Sequence, residues 1–296
     1  MKKRIEITTS RTAQWTCLTR AISSLEKNRY YRSDDRLALS LLPGFLRMLI
    51  HIPHTGRFFL RVFAAKGIYE YVIARTKYID AVFRQTLSDQ ISQILLLGAG
   101  FDTRALRFQQ ETRRSRIFEL DAPATQGAKI SQYKKRHLSI PPNVVFIPID
   151  FDRDSLPLRL NQAGFKREER TLFILEGVLM YLQPKSVEQT FLTIQELSAA
   201  GSEVVFDYIY ASVLRHENIY YGEKGTIEVM AKAGEQWHFG IEKEEIEPFL
   251  LRYGFKLHDQ RDAHELEKMY FKDPSGRTVG RVNGTHCLAR AVRIPV

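Results

Sequence analysis

The chain has 296 residues, and its 44 lysines and arginines outnumber its 34 aspartates and glutamates, which gives a formal net charge of +10. A chain of this length forms one large domain or two small ones, and it can bury a large core without metal or disulfide cross-links. Hydrophobic residues make up 44% of the sequence and charged residues 26%, proportions that exclude a disordered or fibrous protein.

The chain has two cysteines, Cys17 and Cys287, which are far apart and form no CxxC pair. This excludes a disulfide framework and a cysteine-built zinc site, and it fits a reducing compartment. No apolar run follows the basic N-terminus, so we expect no signal peptide. The most apolar stretch, residues 37–52, is interrupted by Pro43 and Arg47 and is too short to span a membrane. We therefore expect a cytoplasmic protein without a membrane span.

The positive charges are spread along the chain, with modest clusters at residues 112–116 and 133–136. Nucleic-acid-binding proteins concentrate such charge in one stripe. The spread charges are typical of a solvated surface, and we expect no nucleic-acid partner. The excess of positive charge mildly favours an anionic small-molecule substrate.

Residues 1–90 are predicted to be helical. Apolar residues recur at helical spacing in residues 10–27 and more strongly in residues 59–86. We interpret this segment as a helical N-terminal cap that packs on a second unit, residues 91–296.

From residue 91 the pattern changes to short apolar runs separated by segments that can be helical. One such segment, residues 184–201, opens with Pro184 and closes with Gly201, the usual start and stop signals of a helix. Another is residues 123–137. The predicted strands are residues 91–100, 115–120, 143–149, 170–175, 201–209, 253–261 and 285–294. This alternation predicts an α/β fold, a doubly wound and mostly parallel seven-stranded sheet, with an aromatic-rich insertion at about 210–250 that covers the substrate.

The first strand runs into a glycine turn, GAGFDTR, in which Gly98 and Gly100 stand where the chain must bend into a helix. Glycine permits a positive φ there and lets a ligand approach the backbone closely. The third glycine of the dinucleotide fingerprint is absent, because Thr103 occupies its place. The glycines alone are therefore weak evidence for a ligand.

Carboxylates follow the next three strands. Asp121 stands about 20 residues after Gly100, where an acidic residue accepts hydrogen bonds from the ribose of a nucleoside cofactor. Glu119, two residues earlier, lies on the same side of the strand and is a second candidate. Asp150 ends the third strand, where it could meet an adenine amino group while Phe151 packs on the ring; a helix cap or a turn is the alternative.

Glu176 follows the apolar fourth strand. Because the carboxyl ends of parallel strands meet at one edge, these residues predict an adenosine-type cofactor site there. The missing third glycine counts against a nicotinamide dinucleotide, whose pyrophosphate needs a close approach to the backbone, and S-adenosylmethionine has no such requirement.

Six segments of the chain resemble the S-adenosylmethionine-dependent O-methyltransferase family that includes leucine carboxyl methyltransferases and many bacterial relatives. They are ARTKYID (74–80), LLLGAGFDTRALRF (95–108), FELDAPATQ (118–126), PIDFD (148–152), LEGVLMYL (175–182) and FDY (206–208). The resemblance runs from about residue 10 to residue 208 and is closer to the bacterial branch.

The resemblance implies a set of cofactor contacts. Arg75 would hold the methionine carboxylate by a bidentate pair, with Arg20 as a looser match to a basic residue nearby. Gly98 and the turn with Gly100 would line the methionine moiety, and Glu176 would face its amino group or the mouth of the substrate site. Asp121 would bind the ribose; Asp150 and Phe151 would bind the adenine.

The predicted function is therefore methyl transfer from S-adenosylmethionine to a carboxylate or hydroxyl of a small molecule, or to a protein carboxylate. A carboxylate needs only positioning, whereas an alcohol needs a base. We assign no catalytic residue, because the candidates near the insertion are more typical of packing or binding: His238, Tyr208, Tyr210 and Tyr221. We predict no metal site, since Pro53 breaks the helical spacing of His51 and His54.

Three other classes of protein share parts of this pattern. A nucleic-acid methyltransferase of the amino-methylating kind would carry an Asp/Asn-Pro-Pro-aromatic box after the fourth strand, where this chain has Glu176-Gly177-Val178-Leu179. A nicotinamide-dependent oxidoreductase and a non-catalytic protein that binds S-adenosylmethionine remain as alternatives. The acceptor and the oligomeric state are not readable from the sequence.

Overall fold

The computed structural model describes residues 9–52, 55–56, 58, 60, 64–151 and 153–295. The helices before the sheet are α1 (Arg11–Ser24), α2 (Ala38–Leu41), α3 (Gly44–His51) and α4 (Ile68–Ser88). The strands are β1 (Gln93–Leu97), β2 (Arg116–Asp121), β3 (Val144–Pro148), β4 (Thr171–Leu175), β5 (Glu203–Ile209), β6 (Phe255–Arg261) and β7 (His286–Arg293). The later helices are α5 (Arg104–Arg107), α6 (Pro123–Lys135), α7 (Leu156–Gln162), α8 (Pro184–Glu196), α9 (Ala211–Leu214), α10 (Glu223–Ala233), α11 (Ile246–Leu251) and α12 (Ala263–Tyr270).

The seven strands form one sheet in the order β3-β2-β1-β4-β5-β7-β6. Strands β1 to β5 pair in parallel, and β7 enters antiparallel between β5 and β6. This confirms the predicted α/β fold with a mostly parallel seven-stranded sheet. The carboxyl ends of β2, β1, β4 and β5 therefore meet at one edge, where ligands bind in open α/β sheets.

Both faces of the sheet are buried. Alternate strand residues point to opposite sides, and each side packs into its own core. Ile94 and Leu96 of β1 pack into a core shared with α1 and α4. Leu95 and Leu97 pack into a second core that contains Phe191 of α8. The helices before residue 90 thus cover one face of the sheet and share its core; the division into a cap and a second unit stays a prediction.

Two helix boundaries differ from the sequence prediction. The helix expected over residues 59–86 begins only at Ile68, after Gly67, whose φ of +77° ends the preceding turn; residues 59 and 61–63 lie outside the described part. A Cβ on Gly67 would come within 2.5 Å of the Asn283 backbone nitrogen, so the close approach of that backbone also requires glycine here.

The helix predicted to end at Gly201 ends at Glu196. The Ser198 hydroxyl donates to the backbone oxygen of Ile194, which competes with regular helix hydrogen bonding. The Gly201 backbone nitrogen donates to Arg293 of β7 at 3.0 Å and so already belongs to the sheet edge. Among the helices of the described ranges, none has the length and apolar character needed to cross a bilayer.

Candidate active site

A cavity of about 570 Å³ opens at the carboxyl ends of β1, β2 and β4. Its floor is the rim of the sheet, and α1, α4 and α10 contribute its walls and roof. This volume is in the usual range for small-molecule and cofactor sites. The lining includes five of the predicted residues: Gly98, Gly100, Asp121 and Glu176 from the rim, and Arg75 from α4.

The two glycines of the turn after β1 have backbone conformations or contacts that other residues would not tolerate. Gly98 has a φ of +70°, and a Cβ placed on it would lie 2.6 Å from Cγ2 of Val178. Gly100 has a φ of +49°, and its backbone nitrogen donates to Oδ2 of Asp121 at 2.5 Å. The turn after β1 and the end of β2 are therefore joined at the cavity floor.

Asp121 is the last residue of β2 and lines the cavity. Its other oxygen, Oδ1, accepts from the backbone nitrogen of Ala122 at 2.7 Å. Burial raises the pKa of Asp121, while the hydrogen bonds from the Gly100 and Ala122 backbones oppose that shift. These two hydrogen bonds hold the carboxylate in one orientation toward the cavity.

Three predicted residues are not part of the cavity lining. Glu119 is 1% exposed and is paired with Lys129 of α6, Oε2 to Nζ 2.5 Å. It therefore cannot share a ligand with Asp121, and its candidacy was wrong. The cavity lining includes neither Asp150 nor Phe151, and Phe151 is 40% exposed beyond β3. Their contact with adenine stays a prediction.

Glu176 follows β4 and stands between two arginines. Its Oε2 accepts from Nη1 of Arg104 at 2.7 Å, and its Oε1 lies 3.1 Å from Nε of Arg75. Burial disfavours its charge, but Arg104 and Arg75 outweigh burial and lower the pKa of Glu176 to about 2. Glu176 is thus an ionised carboxylate at the cavity edge.

Arg75 of α4 lines the cavity and contacts β5. Its Nη1 donates to Oδ2 of Asp207 at 2.7 Å, and the same oxygen accepts from the hydroxyl of Tyr71 at 2.8 Å. Oδ1 of Asp207 accepts from the backbone nitrogen of Gly177 at 2.5 Å. No described residue pairs with Nη2 of Arg75. Since Nη1 faces Asp207 and Nε faces Glu176, Nη2 is the nitrogen left for a ligand carboxylate. The predicted contact stays a prediction; a bidentate pair would need a second nitrogen to leave its present partner.

These groups belong to a continuous series of ion pairs, which we call the buried ion chain. Its first half joins Arg20 to Asp35, Asp35 to Arg107, and Arg107 to Asp80. Its second half continues through Arg104, Glu176 and Arg75 to Asp207. The side chains of all eight members are at most 12% exposed. Arg20, Arg75 and Glu176 line the cavity, so the chain presents fixed charges of both signs to a ligand.

The roof is closed by a contact between the first helix and the insertion. The Thr12 hydroxyl of α1 donates to Oε2 of Glu235, which follows α10. The α10 side of the lining is apolar, with Val229, Met230 and Trp237. Residues of the insertion therefore form one mostly apolar wall of the cavity; that the insertion covers a substrate stays a prediction.

The four base candidates from the sequence do not line the cavity. Tyr208 and Tyr210 are buried in the second core, and Tyr208 accepts a hydrogen bond from Gln260. The ring of Tyr221 packs under the guanidinium of Arg281, 3.9 Å from its centroid, and the backbone of His238 donates to Met180. The histidine that does line the cavity is His286, at the start of β7.

The sequence analysis missed Asp207, Arg104 and His286. A signal existed for Asp207, because a carboxylate inside the apolar run EVVFDYI is costly to bury without a partner. Arg104 is fully buried within the quoted segment GAGFDTRAL but was not singled out. His286 had no local signal, since its place depends on β7 entering beside β5. Among the described residues, no group of three metal-ligand side chains comes together; His54 lies outside them.

Two kinds of sequence comparison bear on this site. The family model described as leucine carboxyl methyltransferase matches residues 13–195. A Bacillus subtilis (strain 168) protein named "Putative S-adenosyl-L-methionine-dependent methyltransferase YktD" is 27% identical over 201 residues, 68% of this chain and 66% of that protein. A Frankia alni relative with the same kind of name is 32% identical over 133 residues, 45% of this chain and 46% of that protein. The chain thus spans between about half and two thirds of the curated relatives it matches.

Two solved structures share the fold. A protein from Thermobifida fusca YX, titled a putative methyltransferase, has a TM-score of 0.61 at 17% identity and covers 95% of this chain and 94% of its own. A DUF574 family protein from Streptomyces avermitilis has a TM-score of 0.60 at 12% identity, over 98% of this chain and 100% of its own. At these identities the likeness concerns the fold.

Proposed function

Because the chain belongs to the leucine carboxyl methyltransferase family, we propose that it is an S-adenosylmethionine-dependent methyltransferase that methylates an oxygen of a small molecule. The observation that carries the proposal is the single cavity edge that unites the Gly98 turn, Asp121, Glu176 and Arg75. The names of the curated relatives agree with the cofactor predicted from the sequence.

The charges along the cavity edge fit this cofactor. Asp121 presents a carboxylate where ribose hydroxyls need an acceptor, and Glu176 presents one for an ammonium group. Nη2 of Arg75 and the positive charge of Arg20, whose Nη2 also donates to the backbone oxygen of Phe101, face the cavity and favour a ligand carboxylate. Gly98 has no Cβ, which lets the side chain of Val178 pack directly against the turn at the cavity floor.

The same geometry disfavours a nicotinamide dinucleotide. A pyrophosphate uses the free backbone nitrogens at the start of a helix. Here the helix after the turn, α5, has four residues, and the backbone nitrogen of Arg104 already donates to Oδ1 of Asp102 at 2.6 Å. A pyrophosphate at this point would be repelled by the carboxylates of Asp102 and Glu176.

S-adenosylmethionine supplies a methyl group on a positively charged sulfur, which leaves as a neutral thioether. The protein must align the acceptor oxygen behind that methyl and exclude water. The buried ion chain fixes the cofactor-facing charges in place, and apolar residues of α10 line the side of the cavity where a bound ligand would be shielded from water. The net charge of +10 is compatible with an anionic acceptor.

The experiment is methyl transfer from methyl-labelled S-adenosylmethionine to paired aromatic compounds that carry either a hydroxyl or a carboxyl on the same scaffold. Alkali separates the products, because methyl esters release methanol and methyl ethers do not. Labelled product from either series supports O-methyl transfer. Binding of S-adenosylmethionine with labelled product only on nitrogen or carbon acceptors would overturn the oxygen assignment.

A further inference from the structure

His286 lies at the end of the cavity opposite Asp121. It is the first residue of β7 and pairs with Ile209 at the carboxyl end of β5. Along the edge, β2 and β7 are four strand positions apart, with β1, β4 and β5 between the two ends. At about 4.8 Å per strand, this is roughly 19 Å. A cofactor whose ribose is at Asp121 therefore leaves the β7 end of the cavity for the acceptor.

Hydrogen bonds beneath the ring determine which nitrogen of His286 carries the proton. The amide nitrogen of Asn283 donates to the Lys66 backbone oxygen at 2.9 Å, so Oδ1 of Asn283 is the acceptor on the other side. That oxygen accepts from the Thr285 hydroxyl at 2.6 Å, which uses the only proton of the hydroxyl. Thr285 Oγ1 lies 2.7 Å from Nδ1 of His286 and can only accept there. Nδ1 is therefore protonated, and Nε2 carries the lone pair.

The surroundings of the ring keep it neutral. His286 is 6% exposed, stacks on Tyr71 at 4.3 Å between centroids and meets Trp237 edge-on at 5.3 Å. Burial lowers the pKa of His286 to about 4, with Asp207 opposing the shift and Arg75 adding to it. The Tyr71 hydroxyl donates to Asp207 and is not available to Nε2. Among the described residues, none forms a hydrogen bond with Nε2.

On the basis of the proposed function, we propose that Nε2 of His286 accepts a hydrogen bond from a hydroxyl group of the methyl acceptor and takes its proton during transfer. The site then selects hydroxyl compounds with an apolar body, a phenol or alcohol, over carboxylates. The apolar body would pack against Trp237 and the α10 side of the cavity.

The acceptor oxygen forms a bond to the methyl carbon while the carbon–sulfur bond breaks, and the sulfur keeps the electron pair and becomes neutral. The hydroxyl proton moves to Nε2 and gives an imidazolium, which later releases the proton to solvent. A weakly basic histidine suffices because the oxygen becomes strongly acidic as its bond to carbon forms.

A carboxylate acceptor does not fit this nitrogen. An ionised carboxylate has no proton to donate, so its oxygen lone pairs would face the lone pair of Nε2. It would also lie beside the carboxylate of Asp207, whose charge acts on the same ring. A hydroxyl group, by contrast, can donate its proton to Nε2 at the cavity lining and so satisfy that acceptor.

The test uses two substitutions that separate the nitrogens of His286. In His286→Asn the side-chain amide can still donate to Thr285, but no atom reaches the place of Nε2. In His286→Gln an amide oxygen can accept a hydrogen bond near that place but cannot take a proton. The matched control is His264→Asn, at an exposed position on α12.

With the paired hydroxyl and carboxyl compounds, we expect alkali-stable ethers from the wild type. His286→Asn should lower kcat about 100-fold, the lower end of the usual contribution of a general base, and raise KM. His286→Gln should lower kcat with KM near the wild-type value, and His264→Asn should change neither. Alkali-labile esters as the main product, or full kcat in His286→Asn, would overturn the proposal.

Calorimetry with S-adenosylmethionine separates this proposal from the proposed function. If the wild type does not bind it, the methyltransferase assignment fails. If every variant binds it as the wild type does and no paired compound is methylated, nitrogen NMR of the S-adenosylhomocysteine complex decides. A neutral ring at pH 7 with its proton on Nδ1 supports the proposal, and a proton on Nε2 overturns it.

Discussion

Arg75 and Asp207 are 132 residues apart in the sequence and form a buried ion pair, Nη1 to Oδ2 2.7 Å, that joins α4 to β5. The pair ends the buried ion chain on the side of the cavity where Tyr71 and His286 stack. Through Gly177, Asp207 also fixes the backbone that follows Glu176. One carboxylate thus orients an arginine, a tyrosine and a strand end around the cavity.

Replacing Asp207 should strongly destabilise the fold. Asp207→Ala leaves Arg75 as a buried charge with one partner fewer, and breaking such a pair costs about 3–5 kcal/mol. Urea unfolding measures the change. The control is Glu242→Ala, which breaks an exposed pair with Arg215 and should leave the free energy of unfolding close to the wild-type value. Equal effects of the two substitutions would contradict the role of Asp207.

Asp121→Ala should weaken binding of S-adenosylmethionine. The ribose hydroxyls lose a charged acceptor worth about 1.5–3 kcal/mol, which corresponds to about a 10- to 150-fold increase in Kd. Calorimetric titration measures it, with the exposed Asp89→Ala as the control. An unchanged Kd in Asp121→Ala would remove the ribose assignment.

Gly98→Ala should lower both stability and cofactor affinity, because the new Cβ meets Val178 and the φ of +70° is strained for alanine. The double variant Gly98→Ala/Val178→Ala removes the contact and should recover only part of the loss. Gly127→Ala in α6 is the matched control; its Cβ has open space, and it should stabilise the protein by about 0.5–1 kcal/mol. Thermal unfolding and titration with S-adenosylmethionine are measured for the three variants. A Gly98→Ala protein that binds the cofactor and unfolds as the wild type does would contradict the close approach of Val178 to Gly98.

The free energy of unfolding should decrease as the pH falls through a range set by the titration of His286. Its pKa is lowered to about 4 in the folded protein, so the unfolded chain takes up the proton first as the pH falls from about 6.5. The contribution is fully present above pH 6.5 and is lost as the pH approaches 4, about 3 kcal/mol in all. Urea unfolding between these pH values should show a shallower dependence in His286→Asn than in the wild type or His264→Asn. Parallel curves would mean that His286 is not buried in the neutral form.

The sheet and much of its rim were predictable because each of these buried strands is a short apolar run that ends at a glycine or a carboxylate. That pattern located Gly98, Asp121 and Glu176, since parallel strands bring such residues to one edge whatever the loops do. The pairing of Arg75 with Asp207 was not predictable from spacing. It depends on how α4 crosses β5, and Asp207 lies inside an apolar run.

Glu119 shows the limit of the two-residue strand period. The period places Glu119 on the same side as Asp121, but its side chain is buried there and paired with Lys129 of α6. His286 shows the limit of reading a strand alone. Its neighbours come from the antiparallel entry of β7 between β5 and β6, which the composition of residues 285–294 does not encode.

The cofactor is the central claim, and calorimetric titration of the wild-type protein with S-adenosylmethionine and, separately, with NAD tests it most directly. We predict micromolar binding of S-adenosylmethionine, no binding of NAD, and a loss of affinity in Arg75→Ala that is far greater for S-adenosylmethionine than for its decarboxylated analogue. Absence of S-adenosylmethionine binding, or binding of NAD in its place, would contradict the methyltransferase assignment and leave only the fold.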